Sequence, residues 1–430
     1  MPLTQQQLVE LTELRERVAG IDRKYAQGSP LDILASSLTE KKDARWFIEE
    51  WAEGLVVENG FGPHFETERL FPSHKQHGCA DIGALADLPE NLLDVLSDTA
   101  RPAPPDRWAF LDTETTGLLG GSNTYAFLIG VGRITREGFR VRQFFMREYA
   151  EERSVLAALE AHLKEFDVLI TYNGKSYDQP LLEGRYSLRR QRTPFTRLHH
   201  VDILHGARRL WKLRLESCRL MQLEEHVLGV YREGDLPGEL IPYVYFEYLR
   251  SREAQQLVPI FHHNAMDILT LGCLTAVVPA AFGNTDPESL ARVGVRRGED
   301  LASIARWLLT VGEQQQALEV LKRAVAAGLP DALLFRALWD VALLEKKLNR
   351  SEEALRLFAE LAGCKSQYQT LAFEELAKHY EHAERNYALA LEFTERALSC
   401  ALSAALLHRK ARLERRMAKL RSSLRAECAD

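Results

Sequence analysis

The sequence predicts an α/β domain, a five-stranded mixed sheet with flanking helices, followed by an all-helical repeat domain. Three observations predict it. Short apolar runs alternate with turn residues between 108 and 203, and a helix lies between the third run and the fourth. Carboxylates stand where two of those runs end and where later helices begin. Beyond Glu299 only helical periodicity remains, and it recurs at a nearly fixed interval.

Bulk composition narrows the possibilities. A chain of 430 residues has room for two or three domains. Its 46% hydrophobic and 27% charged residues are ordinary for a globular protein. A net charge of -6 argues against coating nucleic acid by bulk electrostatics and leaves local basic patches open. The six cysteines are scattered without a C-x-x-C pair, which fits a reducing, cytoplasmic setting. The N-terminus lacks the basic and apolar regions of a secretory signal. The most apolar run, Leu269 to Phe282, is broken by Pro279 and reads as too short for a bilayer, so no membrane is expected.

Residues 1–100 read as a helical and mixed segment. An amphipathic helix is expected from Gln5 to Lys24, with Leu8, Leu11, Leu14 and Val18 on one face, and a second from Lys41 to Gly54. Phe61 to Leu85 has room for short strands. Within it, His74-x-x-His77-x-Cys79 lacks the fourth ligand and matching pair of a zinc site, so a structural or surface role is expected. Arg101-Pro-Ala-Pro-Pro105 is a stiff linker and a natural boundary.

The α/β domain is expected over 106–283. Strands are predicted at 108–114, 124–134, 139–147, 167–172 and near 199–203. Short turns join the first three into an antiparallel meander. A helix at 152–165 then crosses over, so the fourth strand should lie parallel beside the first.

The helical region is expected over 299–425. Ala317, Ala354 and Ala390 occupy matching places, 37 and 36 residues apart. The last unit resembles a tetratricopeptide repeat, whose period is about 34. Such a stack implies a protein partner. The basic final helix, His408 to Arg425, reads either as a contact for nucleic acid or a partner, or as a solvated cap.

The chemistry concentrates at the end of the first strand, Trp108-Ala-Phe-Leu-Asp112-Thr-Glu114-Thr-Thr-Gly117. At period two, Asp112 and Glu114 leave the strand on one face. Carboxylates about 4 Å apart repel by roughly 4 kcal/mol at an effective dielectric near 20, so the pair asks for a cation. The fourth strand ends in Tyr172-Asn173-Gly174-Lys175-Ser176-Tyr177-Asp178, with Asp178 in the first turn of a helix. This Gly-Lys-Ser is no phosphate-binding loop, because the required upstream glycine is Leu169. His262-His263-Asn264-Ala-Met-Asp267 reads as the start of a helix ending at Val278, with His263 and Asp267 sharing a face. Between Arg185 and Arg219 basic residues dominate, as a track for a single strand requires.

D-x-E, then N-x-x-x-(Tyr/Phe)-D, then a His or Tyr shortly before a last Asp resembles the DEDD superfamily of 3′–5′ exonucleases, which have a ribonuclease-H-like fold. More narrowly, LDTETTGLLGGSNTYAFLIGVG, YNGKSYDQPLLEGRY and HHNAMDIL resemble the YprB-type ribonuclease-H-like proteins of bacteria. The resemblance implies a metal-dependent nuclease acting on single-stranded DNA or RNA. In it Asp112, Glu114, Asp178 and Asp267 hold two Mg²⁺ or Mn²⁺ ions and a histidine accepts the water's proton. His262 matches the superfamily's histidine spacing; His263 matches its tyrosine spacing and the YprB-type pattern. By the same resemblance Thr113, Thr115 and Leu118 hold the terminal nucleotide, and Asn173 and Lys175 contact sugar or phosphate. A module that binds nucleic acid without cutting it, acting through its helical repeats, is the alternative.

Overall fold

The computed structural model describes residues 48–96, 102–117 and 124–427. These belong to one compact unit, Phe47–Asp430; the expected helix at Gln5–Lys24 lies outside the described residues. The sheet has seven strands rather than five. These are β1 (Leu55–Asn59), β2 (Gly62–Pro72), β3 (Trp108–Thr115), β4 (Ala126–Thr135), β5 (Gly138–Phe145), β6 (Val168–Thr171) and β7 (His199–Asp202), in the order β1-β2-β5-β4-β3-β6-β7. Strands β3 to β7 match the five expected, and β6 pairs parallel with β3, Trp108 opposite Val168.

The two additional strands come from before the proline run. Strand β2 lies in the stretch with room for short strands, but it is 11 residues long and rich in charge, and it pairs with β5 from Phe65↔Phe145 to Pro72↔Gly138. Those charges are used across the ladder: Glu68 meets Arg140 at 2.6 Å, and Glu66 accepts from Arg142 Nε at 2.8 Å. Opposite charges facing each other on a half-exposed pair stabilise it by about 0.2–1 kcal/mol each. An isolated sequence window cannot register that pairing.

Helices cover both faces: α1 (Glu152–Leu163), α2 (Asp178–Leu188), α3 (Ile203–Trp211), α4 (Ile241–Ser251) and the long α5 (Val258–Gly283). Helix α5 begins well before His262, so Asp267 sits inside it rather than at its start, and it continues through Pro279. A missing N–H in the last turn costs one hydrogen bond, which burial of Val278, Ala281 and Phe282 offsets. The stretch Ala254–Gly283 is long and apolar enough to cross a bilayer by composition, which corrects the sequence expectation. However, 72% of its apolar window is buried, as in a core helix.

Glycines bring α5 close to the sheet. A Cβ on Gly130 would stand 2.2 Å from Asn264 Oδ1 and 2.3 Å from Ile268 Cδ1. A Cβ on Gly132 would stand 2.6 Å from Ile268 Cγ2 and from the Phe139 ring. Gly130 lies opposite Asp112 in the ladder, so the close approach also sets α5 against the acidic strand end.

Beyond Gly283 the chain forms helices α6 (Gly298–Val311), α7 (Gln314–Ala327), α8 (Asp331–Lys347), α9 (Ser351–Gly363), α10 (Gln369–His382), α11 (Tyr387–Cys400) and α12 (Ala404–Glu427). Ala317, Ala354 and Ala390 are each the fourth residue of their helix and each is buried. Leu301, Ile304 and Leu308 of α6 share one apolar core with α3 and α5, and Arg214 pairs with Asp300 at 3.0 Å.

Candidate active site

Asp112 and Glu114 leave the carboxyl end of β3 on one face, as period two requires. The pairing of β3 with β4 shifts register between Glu114 and Thr115, a bulge that ends the ladder at the acids. Asp178 opens α2 after the β6 turn, where Asn173 takes a left-handed φ of 68°. Asp267 descends from α5. The sheet thus gathers all four acids, and their charges act on one another.

Burial, then the charges of Glu114, Asp267 and Asp178, push the Asp112 carboxyl well above the usual carboxylate range. Glu114 is pushed up to about 8 by burial and by Asp267 and Asp178, with His263 opposing. Burial raises Asp178 to about 6 against a hydrogen bond from the Thr113 hydroxyl. Burial raises Asp267 against His263 and Arg232. Crowded carboxylates that hold their protons are short of positive charge.

The two histidines separate. His262 is exposed and its Nδ1 accepts from Arg69 at 2.9 Å. His263 is buried, with Nδ1 2.9 Å from Asp235 Oδ2 and Nε2 3.7 Å from Asp267 Oδ2. Burial alone would lower its pKa; the hydrogen bond to Asp235 and the charges of Asp267 and Glu114 prevail and raise it to about 9.

Several residues of this site escaped sequence reading. Asn264, fully buried, donates to Asp112 Oδ2 at 2.9 Å and accepts from Gln143 at 2.8 Å. Asp202 receives the backbone N–H groups of Asn173 and Lys175 at 2.9 and 3.1 Å and also caps α3. Arg232 and Asp235 arrive on the segment 229–237, where Arg232 NH2 lies 2.7 Å from Asp267 Oδ1. Charged residues in a Gly- and Pro-containing loop carry no periodic signal. The one available hint was the cluster Arg232-Glu-Gly-Asp235 between two apolar helices.

The expected nucleotide contacts divide. Thr113 is engaged by Asp178, and the Thr115 hydroxyl donates to Gly117 O at 3.0 Å. The Asn173 and Lys175 side chains are exposed beside the cluster. Leu118 lies outside the described residues. The basic track is only partly a surface. Arg185 and Arg189 bind Glu152, Arg197 donates to Phe166 O at 2.7 Å, and Arg214 meets Asp300. Arg190, Arg192, Arg208, Lys212 and Arg219 are exposed. His77, of the dismissed zinc-like motif, bonds Thr270 at 2.8 Å, and Cys79 contacts Val227 O.

Among the described residues, no group of three or more His, Cys, Asp or Glu side chains is arranged to hold a metal ion as the side chains stand. Asn264, Thr113 and Arg232 contact Asp112, Asp178 and Asp267 respectively. The donor set itself, all carboxylate oxygen, is the type hard divalent cations select. Asp267 Oδ1, buried at 2.7 Å from the Arg232 guanidinium, already faces a cation.

A family model described as the RNase_H superfamily matches residues 109–278, which span the sheet from β3 to α5. Over 366 residues the chain is 33% identical to the protein YprB of Bacillus subtilis (strain 168), covering 82% of the chain and 85% of that relative. With this sheet order, a C-terminal helical region and identity sustained over four-fifths of its length, the chain belongs to the YprB family of ribonuclease-H-like proteins.

Proposed function

We propose that the protein is a metal-dependent nuclease, a 3′–5′ exonuclease on single-stranded DNA or RNA. In this reading residues 106–283 carry the catalytic residues, on a sheet that β1 and β2 from the 1–100 segment extend, and 299–425 form tetratricopeptide-like repeats that carry a protein partner. The observation that carries it is the crowding of Asp112, Glu114, Asp178 and Asp267 at one end of β3, each with a pKa pushed up. Such a cluster persists in a fold when a ligand cation offsets its repulsion.

The four acids would hold two Mg²⁺ or Mn²⁺ ions, whose charge would supply an activated water and stabilisation of the leaving 3′ oxygen for an in-line displacement. His263 stands over the cluster with Nε2 toward Asp267 and holds the proton that leaves the water; Asp235 fixes its ring through Nδ1. The charges of Asp267 and Glu114 raise the His263 pKa, and cations held by those acids would offset that rise and leave the ring free to accept a proton. The exposed Asn173 and Lys175 meet the sugar and phosphate. Arg208, Lys212 and Arg219 guide the strand.

One observation favours a second reading, a nucleic-acid-binding scaffold without catalysis: Arg232 stands against Asp267, where positive charge is otherwise wanted. A single experiment separates the two. The protein is incubated with 3′-labelled and 5′-labelled DNA and RNA oligonucleotides, with Mn²⁺ or chelator, beside Asp112→Ala. Ladders from the 3′ end, lost with chelator and in the variant, are expected. Binding without cutting under every condition supports the scaffold.

A further inference from the structure

Arg232 is 6% exposed at its side chain and touches three acids. Its Nε lies 2.7 Å from Glu224 Oε2, its NH1 3.2 Å from Asp235 Oδ2 and its NH2 2.7 Å from Asp267 Oδ1. These contacts differ in kind. The bond to Asp235, three residues along the same segment, is an aligned hydrogen bond. Toward Asp267 and Glu224, which lie outside the segment, the contacts are close ion pairs at 2.7 Å that fall off the line of a well-aligned hydrogen bond. The guanidinium is therefore hydrogen-bonded within its own segment and ion-paired to Asp267 and Glu224 outside it.

Charge explains why it is there. Asp112, Glu114, Asp178, Asp267, Asp235 and Glu224 bring six carboxylates together, against Arg232 and His263 as cations. Glu224 also faces His77 at 3.2 Å and Thr270 at 2.9 Å, so it keeps partners of its own. A guanidinium is a diffuse, weakly hydrated single charge. A divalent ion carries twice the charge and binds one carboxylate oxygen at about 2.0–2.1 Å. An ion bound at Asp267 Oδ1 and the guanidinium beside it repel one another across a few ångströms of protein, so the two compete for that oxygen.

We propose that Arg232 is a resident counter-cation of the acid cluster, displaced from Asp267 when a divalent ion binds, so that ion binding loosens the segment 229–237. The proposal rests on the metal-binding reading above. It makes the segment a part of the ion site: one end supplies Asp235 to His263, the other supplies the charge that the ion replaces. Without ions the arginine holds Asp267 in place and keeps the cluster compact. With ions Asp267 turns to them.

The test is a Mn²⁺ titration of the full chain without nucleic acid, following free Mn²⁺ by electron paramagnetic resonance. Wild type, Arg232→Gln and Asp112→Asn are compared. Affinity about tenfold tighter in Arg232→Gln, at a site that Asp112→Asn removes, is the expected result. Affinity unchanged or weaker in a folded Arg232→Gln, where wild-type binding depends on Asp112, overturns the exchange and leaves the metal site standing. No Asp112-dependent binding in wild type or Arg232→Gln overturns both. Should Arg232→Gln not fold, the wild type decides by hydrogen–deuterium exchange: amides of 229–237 exchange faster at saturating Mg²⁺. Unchanged or slower exchange overturns the proposal.

Discussion

In the proposed reaction, Asp235 is the residue on which the role of His263 turns. A carboxylate on one ring nitrogen fixes the tautomer and aims the other nitrogen at the acid cluster. Asp235→Asn should lower activity by about ten- to a hundredfold and move the acidic limb of the pH–rate profile to lower pH, because one of the charges raising His263 is gone. His263→Ala should cost more, about 10²–10⁴-fold, and the exposed His262→Ala little; equal losses at the two positions would remove His263 from its role. The acids make a separate prediction in the metal-free protein. Glu114 titrates at 4.5 unfolded and about 8 folded, so between those values the folded chain binds more protons and stability falls as pH rises. His263, moved from 6.5 to about 9, contributes stability that is complete below 6.5 and lost as pH rises through 9. The melting temperature without metal should therefore fall between about pH 5 and 9, and less steeply in Asp112→Asn. A rise over that range would contradict the crowding.

Among the elements, the contact of β4 with α5 decides whether the acids meet at all. Gly130 has no room for a methyl group, since Asn264 Oδ1 would lie 2.2 Å away. Gly130→Ala should destabilise the fold by about 1–3 kcal/mol by overpacking, and it should depress activity further by pushing Asn264 off Asp112. Thermal melts and oligonucleotide assays on the same preparation separate the two effects. The final helix presents the opposite case. Its basic residues read as a possible contact for nucleic acid, yet Arg409 and Arg412 each reach Glu381 at 2.7 Å, and Arg416 leans over Tyr387. Glu381 is fully covered at the end of α10. Glu381→Ala should loosen α12 at a cost of about 2 kcal/mol, less than for a deep pair because both arginines keep some water. Proteolysis of α12 at unchanged nucleic-acid affinity would mark those arginines as structural.

At the scale of the molecule, the sheet, α5 and the first repeat helix share one apolar core. Local changes at the acid cluster are therefore read out in global stability. Millimolar Mg²⁺ or Mn²⁺ should raise the melting temperature, by the equivalent of about 2.7 kcal/mol at a hundredfold excess over the dissociation constant, and Asp112→Asn should abolish the rise. An identical rise in the variant would place the ion elsewhere.

The sequence by itself determined the central strands, their meander-and-crossover order and the four acids. Period-two burial and strand-exit charge are local signals, legible at Asp112, Glu114 and Asp178. The recurrence of Ala317, Ala354 and Ala390 was legible for the same reason, since each sits at one position of its own helix. What only the tertiary structure decided were the partners. The charges of β2 found their partners on β5, His263 met Asp235 from a distant loop, and Asn264 met Asp112 through the close approach of α5 to a glycine-lined sheet. Arg185, Arg189 and Arg214 of the basic stretch turned to acids distant in the chain, and Arg232 found Asp267 across a loop. A charge in a sequence has a sign but no neighbour; the fold supplies the neighbour, and with it the pKa and the chemistry.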